Sequence, residues 1–109
     1  MKNKILFVST AVLLCLPVFS QQGNLFIIGG GHKSKELMQQ LVATAQLTSN
    51  DYIAFLPMAT EEPDTSYAYI KEDFAGVCNN KVVNFNFTKN DVNRKAWLDS
   101  VQHAKLIYL

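Results

Sequence analysis

Cysteine is scarce in this sequence of 109 residues, which contains only Cys15 and Cys78. Cys15 lies in an N-terminal segment that we predict to be removed, and the remaining chain then holds Cys78 alone. A single cysteine excludes an internal disulfide, even in an oxidising compartment. Because no histidine lies near Cys78 in the sequence to activate it, we expect a buried or half-buried structural thiol.

A strong excess of charge of either sign is also absent. The whole chain carries 10 basic and 9 acidic residues, and removal of Lys2 and Lys4 lowers the basic count from 10 to 8, for a net charge of −1. The sequence contains no basic stripe with aromatic residues interleaved. This composition predicts no nucleic-acid partner.

An apolar run long enough to span a bilayer, about 20 residues, is missing. The apolar run at residues 5–16 is shorter, follows Lys2 and Lys4, and ends at Pro17. Val18 and Ser20 place small or modest side chains at the two positions that a signal peptidase reads before the cleavage site. We predict that residues 1–20 are a signal peptide cleaved after Ser20 and that residues 21–109 are exported, to a periplasmic or extracellular location, without a stable membrane span. A membrane anchor is the alternative.

Four short apolar runs alternate with three amphipathic segments in the rest of the chain. A run that is apolar at every position, such as residues 25–28, is typical of a strand covered on both faces of a parallel sheet. The predicted strands are residues 25–28, 52–56, 82–87 and 105–109. The predicted helices follow Ser34 as N-cap, span residues 65–75 before Gly76, and follow Asn90 or Asp91 as N-cap.

This alternation predicts repeated βαβ units and therefore a three-layer α/β fold of the flavodoxin or Rossmann type, with a mainly parallel sheet. Right-handed crossovers should place helices on both faces of the sheet. In the third strand Asn84 and Asn86 alternate with apolar residues, which favours a position near an edge. The fourth strand runs to Leu109, the last residue. We expect a single incomplete domain that is truncated after its fourth strand.

A glycine loop follows the first predicted strand, and we define it as residues 29–34, beginning with Gly29, Gly30 and Gly31. Glycines between a strand and a helix let a backbone approach a ligand closely, and the helix N-terminus offers free N–H groups to an anion. The loop lacks both the dinucleotide fingerprint, since Ser34 replaces its third glycine, and the P-loop ending. A tight turn without a ligand is an equally good interpretation.

No catalytic or metal-binding set can be assembled from the titratable residues. We expect His32 and Lys33 to be solvated on the glycine loop. The adjacent Glu61 and Glu62 point in different directions, unlike the paired carboxylates of a glycosidase. We therefore predict neither a metal site nor a cofactor.

Three segments together resemble the cyanophycinase-like serine peptidases, relatives of the aspartyl dipeptidases with a class I glutamine-amidotransferase-like fold. Residues 23–31 resemble the opening strand and glycine loop of that family. Residues 53–60 are similar to its second strand, which ends in a proline and a pair of small residues. Residues 104–109 look like the strand that leads into its Gly-Gly-Asp/Asn-Gln loop. The resemblance covers essentially all of residues 23–109.

This resemblance implies a serine nucleophile on a Gly-x-Ser-Ala-Gly elbow, with a histidine and an acid further along the chain. It also implies small peptide or isopeptide substrates with an aspartyl residue beside the scissile bond. None of the serines after the signal matches the elbow motif, so we expect every catalytic residue to lie after Leu109 and the 109-residue chain to be inactive. The glycines would serve as pocket scaffold. Where the family often has an acid after them, this chain has His32 and Lys33.

Two alternatives remain open from the sequence. The first is an exported, non-catalytic Rossmann-like module that binds a small anionic ligand at Gly29, Gly30 and Gly31. The second is an amidotransferase-like relative with a cysteine nucleophile. The oligomeric state is also open, and a homo-oligomer is compatible with the composition.

Overall fold

The structure, a computed structural model, describes residues 23–109. The predicted signal peptide and its cleavage position after Ser20 lie outside the described residues. The described helices are α1 (Lys35–Ala45), α2 (Pro63–Ala75) and α3 (Lys95–His103), and the strands are β1 (Tyr52–Phe55), β2 (Lys81–Asn84) and β3 (Leu106–Tyr108). Within this part of the chain, no helix combines the length and apolar character needed to cross a membrane.

Helix α1 begins as the sequence predicts. The hydroxyl of Ser34 accepts a hydrogen bond of 3.2 Å from the backbone N–H of Leu37, which satisfies one of the free donors of the first turn. The helix ends where Gln46 takes a left-handed conformation at φ 52° and its N–H donates to the Ala43 carbonyl. This end returns the chain towards β1.

The second and third helices differ from the predicted ones at their starts. Helix α2 begins at Pro63, two residues before the predicted start, because a proline fits the first helical turn, where its missing N–H has no partner to lose. The predicted cap of the third helix is wrong. Its N-cap is Arg94, and Asp91 instead accepts hydrogen bonds from the backbone N–H and hydroxyl of Thr88, which close a separate turn before the helix.

The three strands form one parallel sheet in the order β2-β1-β3. Tyr52 pairs with Lys81 at the start of β1, and Phe55 pairs with Tyr108 at its end. The observed β2 lies at an edge, as the alternating asparagines predict. The α/β class and the parallel sheet are therefore confirmed, and the domain is compatible with a Rossmann-like fold.

The sheet has three strands within the described residues, whereas the sequence predicts four. Residues 25–28, the first predicted strand, lie outside it, and the side chains of Leu25 and Ile27 are 86% and 84% exposed. Phe26 and Ile28 pack against the core. An apolar run reports strand propensity and burial, but it does not specify which neighbour supplies the hydrogen bonds.

Helices cover both faces of the sheet, as predicted. We call the side chains between the sheet and α1 and α2 the first core, and those between the sheet and α3 the second core. The buried members of the first core are Met38, Leu41, Ile53, Phe55, Ile70, Phe74 and Val82. The buried members of the second core are Ala54, Leu56 and Phe85, against which Trp97 and Val101 of α3 pack. Cys78 is half-buried against the first core, which confirms its predicted structural environment.

Candidate functional site at the carboxyl edge of the sheet

The loops that follow parallel strands meet at one edge of a sheet, and this is where open α/β sheets bind their ligands. We call it the carboxyl edge. The loop at residues 56–62 leaves β1 here, and residues 85–94 leave β2. The C-terminal end of α1 leads to the start of β1, at the edge of the sheet opposite to the carboxyl edge. The first turn of α1 and the glycine loop before it therefore lie towards the carboxyl edge.

The glycine loop is open to solvent. A Cβ atom added at Gly29, Gly30 or Gly31 would meet nothing within 4 Å, and all three residues are exposed. Gly31 has φ +101°, which L side chains rarely adopt. The loop therefore leaves its backbone accessible to a ligand, and one of its three glycines is required by backbone conformation alone.

The first turn of α1 is already occupied by an acidic side chain. The backbone N–H of Glu36 and then the hydroxyl of Ser34 hold the pKa of the Glu36 carboxyl below its ordinary value. An ionised carboxylate at this position compensates the helix dipole. Its negative charge repels an external anion, so this helix terminus is poorly suited to an anionic ligand.

Hydroxyl groups organise the second loop at this edge. Thr60 accepts hydrogen bonds of 3.2 Å from the backbone N–H of Glu62 and from the hydroxyl of Ser66. Glu62 is the N-cap of α2 but makes no side-chain capping bond. The hydroxyl of Thr60 therefore links the loop to the start of α2 and takes over part of the capping role. Glu61 and Glu62 are both exposed.

Asn84, the last residue of β2, carries a buried polar atom that sequence reasoning missed. Its side-chain oxygen Oδ1 is buried and has no hydrogen-bond partner among the described residues. Asn84 pairs with Phe55 in the sheet and alternates with Val83, which belongs to the second core. Its side chain therefore lies on the face covered by α1 and α2. Because the sequence shows only an alternation of Asn with apolar residues, no signal in it distinguishes Asn84 from the exposed Asn86.

The structure brings no nucleophile and base together within residues 23–109. Ser34 caps α1, Ser66 donates to Thr60, and Ser100 donates to the Ala96 carbonyl at 2.8 Å. His103 lies in the last turn of α3, where its Nδ1 is 2.6 Å from the Asp99 carbonyl oxygen. No serine hydroxyl in this part of the chain is bonded to a histidine.

His32 and Lys33 take no part in a cluster. His32 is exposed and Lys33 is half-buried. Across residues 23–109, no group of three or more histidine, cysteine, aspartate or glutamate side chains could hold a metal ion. What the carboxyl edge offers is an accessible glycine backbone, a hydroxyl network and one buried amide oxygen.

The described chain belongs to the class of small parallel α/β domains with helices on both faces of the sheet. No family model matches it, and neither a curated protein nor a solved structure matches it at a significant level.

Proposed function

We propose that this chain is the N-terminal part of an exported cyanophycinase-like serine peptidase that cleaves small peptides or isopeptides beside an aspartyl residue. The observation that carries the proposal is the order of three motifs along the chain: the glycine loop, the strand that ends at Pro57, and the strand at residues 104–109. The parallel α/β architecture is compatible with this family, which builds on a Rossmann-like sheet.

In this proposal the described residues supply scaffold, and the reacting groups lie outside the 109 residues. The glycine backbone at Gly29, Gly30 and Gly31 borders the substrate pocket at the carboxyl edge. The hydroxyl network around Thr60 fixes the neighbouring loop. The serine elbow, histidine and acid that the family resemblance implies would complete the site, with backbone N–H groups holding the oxyanion.

The test begins with the coding sequence beyond Leu109 and continues with the protein that it encodes. A Gly-Gly-x-Gln loop followed by a Gly-x-Ser-Ala-Gly elbow supports the proposal. The longer protein should then hydrolyse an aspartyl dipeptide and react with a fluorophosphonate probe at the elbow serine. The matched controls are the serine-to-alanine variant and the 109-residue chain, both of which should be inactive.

Three outcomes would contradict the proposal. A stop codon or unrelated sequence after Leu109 favours a binding module, and a cysteine at the elbow favours an amidotransferase-like relative. Hydrolysis of the dipeptide by the purified 109-residue chain would show that the nucleophile lies within it. The negative charge of Glu36 in the first turn of α1 disfavours a bound anion there, which argues against the binding module.

A further inference from the structure

A cleft separates residues 23–28 from the outer edge of β3. Its volume is about 630 Å³. One wall is formed by residues 23–28, the other by residues 104–109, and the end of α1 closes it at Thr44 and its neighbours. Both long walls are therefore chain segments outside helices, and one of them is the free edge of a sheet.

The outer edge of β3 carries backbone groups without a partner strand in the described residues. On the inner side, the carbonyl of Tyr108 accepts a hydrogen bond of 2.9 Å from the N–H of Leu56. Successive residues of a strand direct their N–H and C=O groups to opposite sides, so those of Ile107 point away from β1 and into the cleft. An additional parallel strand would satisfy them.

Residues 25–28 already have the alternation of a strand in that position. Phe26 and Ile28 pack against the first core, as do Leu106 and Tyr108 of β3. Leu25 and Ile27 point away from it and are exposed, and Ile107 is 47% exposed. The even-numbered side chains of both segments therefore lie on one face and the odd-numbered side chains on the other, which is the arrangement of neighbouring strands.

The direction of this segment also fits a parallel strand. The side-chain amide of Asn24 donates a hydrogen bond of 3.3 Å to the Thr44 carbonyl, near the end of α1 where the chain enters the sheet. Residues 25–28 lead from there back to the glycine loop and the first turn of α1, at the carboxyl edge. They therefore run in the same direction as β1 and β3.

The handedness of crossover connections selects the same edge of the sheet. Helices α1 and α2 lie on one face, since both contribute to the first core. For right-handed connections on a common face, the strand before α1 must lie on the side of β1 that is opposite to β2. That is the side of β1 on which β3 lies. Because the inner edge of β3 is already paired with β1, the position open to another strand is the outer edge of β3.

We propose that residues 25–28 are a strap that closes on the outer edge of β3 as a fourth parallel strand, with Ile27 opposite Ile107. Closure fills the cleft and gives the Ile107 backbone its missing partners. It also draws Gly29 up to the carboxyl edge next to the end of β3. The inference does not depend on peptidase activity.

Cysteine cross-linking tests the closed state directly. In the full chain with Cys15 and Cys78 replaced by serine, the pair Ile27→Cys and Ile107→Cys should form a disulfide under mild oxidation, because residues opposite each other in adjacent strands lie within disulfide range. The control pair Ile27→Cys and Lys81→Cys should not, since Lys81 is exposed on β2 at the far side of the sheet. Both cysteines remaining free and reactive in the first pair, or a disulfide only between two chains, would overturn the proposal.

Hydrogen exchange gives an independent readout. In the wild-type chain the Ile107 amide should exchange about tenfold or more slowly than an unprotected amide. Ile107→Pro removes this donor but no bond to β1, because proline is tolerated at an edge where the N–H faces outward. The variant should lose protection in residues 25–28 and keep it in β1. Unprotected exchange of residues 25–28 and of Ile107 in the wild-type chain would contradict the strap.

Discussion

At the scale of single residues, Gly31 shows why one glycine of the loop differs from its neighbours. Its φ of +101° lies in a region that side chains with a Cβ atom rarely adopt, although the space around it is empty. Gly30 has the same open surroundings and no such backbone requirement. Because neither position is crowded, the comparison of the two glycines isolates the effect of backbone conformation.

We expect Gly31→Ala to lower the free energy of unfolding by roughly 1 kcal/mol, because the alanine Cβ is strained at this φ. The matched Gly30→Ala should be neutral or stabilise the chain by about 0.5 kcal/mol, since it only restricts the unfolded state. Urea unfolding of both variants measures the difference. Equal effects in the two variants would show that the loop relaxes around either substitution.

Asp51 gives the chain a pH-dependent hydrogen bond at a turn before β1. The backbone N–H of Thr48 donates to Asp51 Oδ2 at 2.7 Å, and its hydroxyl does so at the same distance. These bonds hold the pKa of the Asp51 carboxyl below its ordinary value of 3.8. A lowered pKa in the folded state stabilises the fold above that value and loses the effect as the pH falls through the folded-state pKa.

We therefore predict that Asp51→Asn unfolds at a lower urea concentration than the wild-type chain at neutral pH, and that the difference shrinks at about pH 2.5. Urea unfolding at both pH values measures it. The control Glu61→Gln alters an exposed carboxyl that makes no hydrogen bond within residues 23–109. A difference between Asp51→Asn and wild type that does not change with pH would argue against the ionised hydrogen bond as its cause.

Single residues were predictable where the cause is local. The cap formed by Ser34 and the half-buried environment of Cys78 follow from their immediate sequence neighbours. The buried oxygen of Asn84 depends on which strand and helix pack around it, and this information is not local. The position of the glycine loop was therefore visible in the sequence, and its role in a ligand site stays a prediction. The buried oxygen of Asn84 was missed.

At the scale of secondary-structure elements, Asn80 joins the two turns that precede β1 and β2. Its side-chain amide donates to the carbonyl of Thr48 at 2.7 Å and to that of Asp51 at 2.9 Å. Because β1 and β2 are adjacent in the sheet, these two hydrogen bonds fix the starting points of the two strands relative to each other. The neighbouring Asn79 is exposed and makes no side-chain hydrogen bond among the described residues.

We expect Asn80→Ala to lower the free energy of unfolding by about 1–2 kcal/mol, the combined value of two neutral hydrogen bonds. Asn79→Ala is the matched control and should change it by less than about 0.5 kcal/mol. Thermal or urea unfolding measures both. If the two variants were equally stable, the hydrogen bonds of the Asn80 side chain would contribute no more to the free energy of folding than its hydrogen bonds to water in the unfolded chain.

The elements were predictable from periodicity, but their starts and their pairing were not. All three helices and three of the four predicted strands are present, because their apolar stripes match the spacing of a helix or strand. The start of α3 was misplaced, since Asp91 has the chemistry of a cap and uses it in the turn with Thr88. Residues 25–28 have strand composition, but their pairing depends on an edge formed by β3, at the other end of the chain.

At the scale of the whole molecule, the two faces of the sheet are unequally covered. Helices α1 and α2 bury Met38, Leu41, Ile70 and Phe74 in the first core. Helix α3 has no fully buried residue and packs on the second core through half-buried Trp97 and Val101. The strand order β2-β1-β3 is a non-local property that the alternation of elements alone could not specify.

Unequal coverage should make α3 the first helix to open. Because opening free energy follows the apolar area buried by a segment, we expect the amides of α3 to exchange about tenfold or more faster than those of α2 in the folded chain. Val101→Ala should speed exchange in α3 and leave α2 nearly unchanged, whereas Ile70→Ala, in the first core, should speed exchange throughout. Native-state hydrogen exchange measures all three chains. If Val101→Ala affected α2 as much as α3, the two faces would open together, and the sheet with its three helices would be one cooperative unit.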